Sequence, residues 1–578
     1  MRSIAVLSLA LVATTSALAA PTVIFVDANA PSGGNGSSWL NAYNDLQLAL
    51  AAAPSGAQVW VAQGTYKPKA PANATATFTV PGGVNLYGGF RGDESDIAQR
   101  TNPLGHPTAL DGSGSIYHLI TLNATTPVVI DGFYLVDANA SVPPTNGDGA
   151  GVFATNANAT LRNLVFQNCD ATRFGGAIAA KGSSTLTIDA CTFTGCDTAW
   201  ATSAGGAVYA ETAPIITNCE FTNNTAGRGA ALALVTTSTN IMTVADSRVE
   251  GNAGLYAGAV YLDTPPGSFT FFEGCDFIDN TADDGTGLGD GAAIYFAGSG
   301  QHTVLTSRFL DNDAQADGGA IYIELDNDTD RVTVENSFLV ANQAYGSGGA
   351  IKDEGAGDLS IINSTITKNV SNLAPGRGVY DEDGDLVIAN SILWGNAAAG
   401  AGQRTNNLHV FLAVNASIYH SLIGGWDNFV SAPSTSDADP AFEDLDGPDN
   451  TLGTDDDNAR LTPGSPAIDA GHGLFPSGSY TLDIHAQPRF LDDTGTPDTG
   501  VSSGPDPIVD IGAAEFQGTT PSACLADLDN NAVLNLDDIS AFANAFIGGD
   551  LLADLDDNAV LNLDDIATFA SAFLAGCP

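Results

Sequence analysis

Residues 307–322 read SRFLDNDAQADGGAIY, and residues 337–352 read SFLVANQAYGSGGAIK. Both carry the pattern S/C-x-φ-x-x-N, with φ apolar, followed a few residues later by G-G-A-I. Outward from this pair the pattern fills the middle of the chain, between residues 130 and 400. Its apolar slots are Phe166, Phe193, Phe221, Val249, Phe277, Phe309, Leu339, Ile366 and Leu393. Three residues after each stand Cys169, Cys196, Asn224, Asn252, Asn280, Asn312, Asn342, Asn369 and Asn396, and successive copies are 27 to 32 residues apart. A fixed period of this size marks a stack of similar units.

Each unit holds short β-branched and aromatic runs, such as residues 332–334 and 359–362, broken by Gly, Asn and Asp. Strands this short cannot bury a face alone, so they must stack on their neighbours. No helical periodicity runs through the region. A repeated Phe predicts an internal aromatic stack. A repeated Asn predicts an internal ladder at a turn where left-handed backbone is tolerated, and paired Gly supplies positive φ at a corner. The expected fold is all-β: a right-handed parallel β-helix with coils of about 28 residues. The pair of motifs resembles the repeat of chlamydial polymorphic outer-membrane proteins, and the solenoid resembles the pectin-lyase-like superfamily. That resemblance covers roughly residues 120–430. It implies a fold rather than a chemistry, because the superfamily holds lyases, hydrolases, tailspikes and adhesins alike.

The flanks complete a five-part organisation. Met1-Arg2, an apolar run over residues 4–13 and Ala17-Leu18-Ala19 predict a signal peptide over residues 1–20. Export and an extracellular or cell-surface location follow, with no transmembrane segment. Residues 21–120 read as an N-terminal cap, with an amphipathic helix over 39–53 between strands at 23–26 and 59–62. Residues 121–436 hold the repeats. Residues 437–517 form an acidic closing segment with 17 acidic side chains against Arg460 and Arg489. Its crowded loop of Asp444, Asp446, Asp449, Asp455, Asp456 and Asp457 is either a Ca²⁺ site or a solvated acidic loop.

Residues 518–578 contain a duplication: 527–538 read DLDNNAVLNLDD and 554–565 read DLDDNAVLNLDD. Oxygen ligands fall at loop positions 1, 3, 5, 9 and 12, namely Asp527, Asp529, Asn531, Asn535 and Asp538, then Asp554, Asp556, Asn558, Asn562 and Asp565. The carbonyls of Val533 and Val560 would fill position 7. This is EF-hand spacing, which a hard cation such as Ca²⁺ requires. Each loop runs into a helix with apolar Ile539, Phe542, Ala543 and Phe546, or Ile566, Phe569, Ala570 and Phe573. The duplicated loop–helix resembles a type I dockerin, which implies a small all-α module, Ca²⁺ as cofactor and a cohesin-type partner. Ala532 and Ala559 depart from the Gly usual at position 6. Cys524 and Cys577 bracket the module and are expected to close a disulfide. Of the other cysteines, Cys169 with Cys196 and Cys191 with Cys219 share slots on adjacent coils, either bridged or as stacked thiols. Cys275 is expected to be a free thiol.

Aligning the coils predicts a surface. One slot holds Tyr209, Ala233, Tyr261, Tyr295, Tyr322, Lys352 and Tyr380. Two residues on stand Glu211, Val235, Asp263, Ala297, Glu324, Glu354 and Glu382. Residues i and i+2 of a strand share a face, so an aromatic stripe should run beside a carboxylate stripe on the outside. Aromatic rings stack on sugars, and carboxylates bind hydroxyls or act as acid and base. Tyr209, Tyr261, Tyr295, Tyr322, Tyr380 and Glu324 are the candidate substrate-binding residues. Lys352, Glu354, Asp381 and Glu382 are the candidate catalytic cluster, with Lys352 as a lyase base; the tripeptide motifs of galacturonase-like hydrolases are otherwise missing. With 66 acidic against 18 basic residues and a net charge of −48, nucleic acid is excluded as a partner. The sequence thus predicts an exported monomer that binds and, as an enzyme, degrades extracellular polysaccharide by lyase or hydrolase chemistry. The alternative is a non-catalytic adhesin or structural protein.

Overall fold

The structure, a computed structural model, describes residues 21–68, 75–140, 147–199, 201–239, 241–372, 376–397, 407–411, 415–425, 434–475, 480–502, 508–518 and the helix Leu536–Gly548, with positions 553, 566, 569, 570 and 573 beyond it. The signal segment 1–20, Cys524, Cys577, most of the first predicted calcium loop and all of the second lie outside the described residues. Asp538 falls in the first turn of the helix.

The repeats form a parallel β-solenoid of about twelve turns. Among the described residues its strands make three parallel sheets, of 25, 12 and 9 strands. The expected register holds rung by rung: Phe166 pairs with Phe193, Phe193 with Phe221, Phe277 with Phe309, and Leu339 with Ile366. The phenyl rings stack nearly parallel, with centroids 4.8 Å apart for Phe166–Phe193 and 4.7 Å for Phe193–Phe221. That spacing is the distance between adjacent strands, so the rings stack in a vertical column inside the core, interrupted at Val249.

The asparagine column is an internal ladder. Asn280 Nδ2 donates to Asn312 Oδ1 at 2.9 Å, and Asn312 Nδ2 to Asn342 Oδ1 at 2.8 Å. Each amide also donates to a main-chain carbonyl of the coil before, as Asn312 does to Phe277 O at 2.9 Å. The ladder residues do not themselves take the left-handed conformation. The residue before each one does: Asn223, Asp279, Asp311, Ala341 and Lys368 have φ between 51° and 59°. The ladder amide is thereby free to turn inward while its neighbour makes the corner. In the G-G pair the roles also divide. Gly318 has a φ of +63°, whereas a Cβ on Gly319 would lie 2.0 Å from the Gly349 carbonyl oxygen. The first glycine makes the turn and the second admits the next coil.

Parallel stacking begins inside the segment expected as the cap, since Val23–Val26 pairs with Gln58–Ala62, which pairs with Asn85–Phe90. The helix there is shorter than expected, covering Leu46–Ala52. Asp45 stops it from starting earlier, because its carboxylate caps the Gln47 amide at 2.9 Å. Trp39 stands in a separate 3-10 turn and packs on Phe25 and Phe90. The helix buries Leu46, Ala49 and Leu50 over the first coils.

The described part of residues 437–518 contacts the last coil, where His420 Nδ1 lies 3.0 Å from the Ala470 carbonyl oxygen, and extends well beyond it. It forms an irregular strap along the outside of the largest sheet. Trp394, Ile392 and Leu422 are covered by Leu461, Ile468, Ile511 and Phe516, and Ile278, Leu310, Phe338 and Val340 by Ala459, Ala514, Leu445 and Ile484. Three acids of residues 444–457 take part in this packing or in their own turns. Asp455 pairs with Arg248 at 3.0 Å and Arg308 at 3.4 Å, and Asp456 and Asp457 accept the amides of Asp449 and Gly453. Cys169, Cys191, Cys196, Cys219 and Cys275 are buried free thiols. Burial pushes the Cys275 thiol up to about 12, which leaves it inert.

Candidate functional site

The predicted stripe lies on the twelve-stranded sheet. Tyr209 pairs with Ala233, Ala233 with Tyr261, Tyr261 with Tyr295, Tyr295 with Tyr322, Tyr322 with Lys352, and Lys352 with Tyr380. The flanking residues of each strand, such as Ile294 with Phe296 and Ile321 with Ile323, fill the core. Strand alternation therefore sends the tyrosines to the outer side.

The stripe is less open than the sequence suggests. Tyr209, Tyr261 and Tyr322 are only 6 to 8 % exposed, while Tyr295 and Tyr380 are half-buried. The turn before each strand rises beside the rings, and Phe174, Ala204 and Ala257 pack against them. The tyrosines consequently lie at the bottom of a shallow trough, with little of Tyr209, Tyr261 and Tyr322 open to solvent. Neighbouring rings are tilted rather than stacked, with centroids 5.6 Å apart for Tyr261–Tyr295 and 4.8 Å for Tyr295–Tyr322.

Two of the hydroxyls reach the carboxylate of the next coil. Tyr295 donates to Glu324, and Tyr322 to Glu354 at 2.7 Å. Burial first, and then these carboxylates, push both phenols up, so they remain donors. Glu324 and Glu354 are exposed at the rim. Asp290 stands in the wall beside them and accepts the Asp317 amide at 2.9 Å. Burial, reinforced by the charges of Asp317, Glu354 and Glu324, pushes it up to about 7.

At the far end, Lys352 is almost wholly covered, at 2 % exposure. Its ammonium pairs with Glu382, lies 3.8 Å from Glu354, and sits 4.0 Å above the Tyr380 ring. Tyr380 in turn stacks on His409, centroids 4.9 Å apart. Lys352, Glu354 and Glu382 are thus brought together, but Asp381 is not with them. Asp353 and Asp381 occupy the same inward slot as Ile323 and Val410, and both are fully buried. Burial pushes Asp381 up to about 7, which makes it an interior carboxyl out of reach of a bound polymer.

Sequence reasoning missed Phe174, Arg228, Asp290 and His409. Arg228 lies 5.4 Å from the Tyr261 ring, and Lys181 4.9 Å from that of Phe174. His409 continues the tyrosine slot by register and could have been found by extending the alignment one coil. Phe174 and Asp290 come from bridge positions outside the repeat strands, and Arg228 from the end of a short strand in the nine-stranded sheet. Elsewhere, a cavity of about 410 Å³ is lined by Asp111, Asp137 and Asp170; it is not part of the stripe. Among the described residues no helix is long and apolar enough to cross a membrane.

A family model described as a right handed beta helix region matches residues 144–271. No curated protein matches the chain. Among solved structures, the pectate lyase Pel9A is similar at 14 % identity, with 87 % of this chain and 98 % of that one covered and a TM-score of 0.34. A rhamnogalacturonan lyase is similar at 12 % identity, over 76 % of this chain and 97 % of that one, with a TM-score of 0.32. PfbA, a surface adhesin of Streptococcus pneumoniae, is similar at 11 % identity, over 69 % and 87 %, with a TM-score of 0.31.

Proposed function

We propose that this chain is an exported β-helix protein that binds an extracellular polysaccharide along the trough of the twelve-stranded sheet. The observation that carries the reading is the run Tyr261–Tyr295–Tyr322 with Glu324 and Glu354 at its rim. An extended polymer lying across these coils meets three tyrosines in a row and two rim carboxylates, and carboxylates already bonded to a phenol keep lone pairs for sugar hydroxyls. The acidic rim and the net charge of −48 favour a neutral glycan over a polyuronate. Binding is preferred to cleavage because the cation of the expected catalytic cluster is engaged by Glu382 and Tyr380 and Asp381 faces the core. The tail after residue 518 tethers the protein: its two loops, Asp527 to Asp538 and Asp554 to Asp565, hold Ca²⁺ and dock on a cohesin-type partner.

Retention of the full chain on insoluble polysaccharides tests the reading, with neutral glycans set against polyuronates and reducing ends and unsaturated uronates followed in the same tubes. The expected result is retention on a neutral glycan without product, at least tenfold weaker in Tyr295→Ala with Glu324→Gln. Retention that this double variant leaves unchanged would move the site off the trough. Product release abolished by Lys352→Ala would replace binding with lyase chemistry.

A further inference from the structure

We propose that Asp469, Asp492 and Asp498 form a Ca²⁺ site that fastens the loop at residues 492–500 to the outer strap. The proposal stands on residues outside the trough and outside the tail loops, and it holds or fails independently of the binding reading.

The three side chains converge: one carboxylate oxygen from each lies within 4.8 Å of the others. Two oxygens bound to one Ca²⁺ at 2.3–2.6 Å are at most about 5 Å apart, so the group can share an ion without rebuilding the loop. All the donors are carboxylate oxygens, a hard set that suits Ca²⁺ and not zinc.

Asp469 is the residue that makes this more than an acidic patch. It is fully buried, and neither of its carboxylate oxygens accepts a hydrogen bond in good geometry, although the Asp493 amide lies near enough to favour its charged form. Its position is nonetheless tightly set. Its amide donates to Asp510 Oδ1 at 2.8 Å, and its carbonyl accepts the amides of Thr499 and Gly500 at 2.9 Å each. The backbone therefore directs an unpartnered carboxylate at the underside of the 492–500 loop, from which Asp492 and Asp498 approach on the solvent side. Asp493, their neighbour, is otherwise engaged, accepting from Thr496 Oγ1 at 2.7 Å. Burying one carboxylate without a well-placed donor is costly, and bringing two more to it raises the cost unless a cation sits among them. With six to eight oxygens needed, carbonyls or water would complete the shell.

The test counts bound Ca²⁺ per full-length chain by equilibrium dialysis, in the parent and in Asp492→Asn/Asp498→Asn. Counting a difference of one removes the contribution of the tail loops. Both substituted residues are exposed, so the variant should keep the parent's melting temperature in EDTA; Asp498→Asn alone serves should the pair disturb folding. The expected outcome is one Ca²⁺ fewer, together with amide exchange in residues 492–500 that EDTA speeds at least tenfold in the parent and leaves unchanged in the variant. An unchanged count overturns the proposal, as does equal occupancy by Mg²⁺ alone at the same concentration.

Discussion

The Asn312 side chain joins three coils. Its amide donates to Phe277 O and Asn342 Oδ1, and its Oδ1 accepts from the amide nitrogen and side chain of Asn280. Asn312→Ala removes one carboxamide and strands buried donors on the rung before it, so the loss should be near the upper range for hydrogen-bond deletions, about 3 kcal/mol by denaturant midpoint. A loss below about 1 kcal/mol would mean that water fills the rung. Tyr295 poses the converse question at the surface, because ring and hydroxyl do separate work. Tyr295→Phe keeps the packing against Tyr261 and Tyr322 but frees Glu324. Glycan retention should fall less than in Tyr295→Ala, and comparing the two by affinity electrophoresis separates stacking from hydrogen bonding.

The strap is held mainly by apolar burial and only slightly by its charges. Phe338 is fully buried beneath it, so Phe338→Ala should cost about 3–5 kcal/mol. Asp455→Ala, at a largely exposed pair with Arg248, should cost at most about 1 kcal/mol. Thermal melts of the two variants check the contrast, and equal losses would sink it. The same element shows where the sequence stops being readable. The coils were legible because F-x-x-N and G-G-A-I return every 27 to 32 residues and each copy dictates the same pair of corners. The tyrosine slot followed by alignment alone. The strap has no period of two and no repeat. It docks through Asn336, Asn363 and Asn390, one per coil, which bond Leu482 O, the Tyr480 hydroxyl and His472 O. That column of outward asparagines is visible in the sequence, but nothing local says that a segment more than eighty residues later will use it. The covering of Tyr209 and Tyr261 was hidden for a like reason, since residues outside the tyrosine strands, Phe174, Ala204 and Ala257, build the wall.

Across the whole molecule, burial of acids sets the pH response. Asp290, Asp381 and Asp510 are pushed up to about 7, and Asp170, Asp311, Asp457 and Asp469 to about 6, in each case chiefly by desolvation. Unfolded, each would titrate near 3.9. From about pH 4 to 7 these seven acids therefore bind more protons in the native chain than in the unfolded one, and their contribution to stability falls as pH rises, while His302 and His485, pushed down to about 4 by burial, offset part of it. The contribution is complete below the unfolded values and lost on passing through the folded ones. For the fully buried Asp381 the shift of about three units corresponds to at most about 4 kcal/mol. Repulsion among 66 acidic residues acts in the same direction, but salt screens exposed charges and leaves buried carboxyls almost untouched. Melting in EDTA at pH 5 and pH 8 should thus show the lower pH to be the more stable, and the difference should persist in 0.5 M NaCl. Asp381→Asn, which is neutral at both values, should narrow that residual difference by raising the melting temperature at pH 8 more than at pH 5. If salt alone abolishes the difference, surface repulsion is the cause and the interior carboxyls are not.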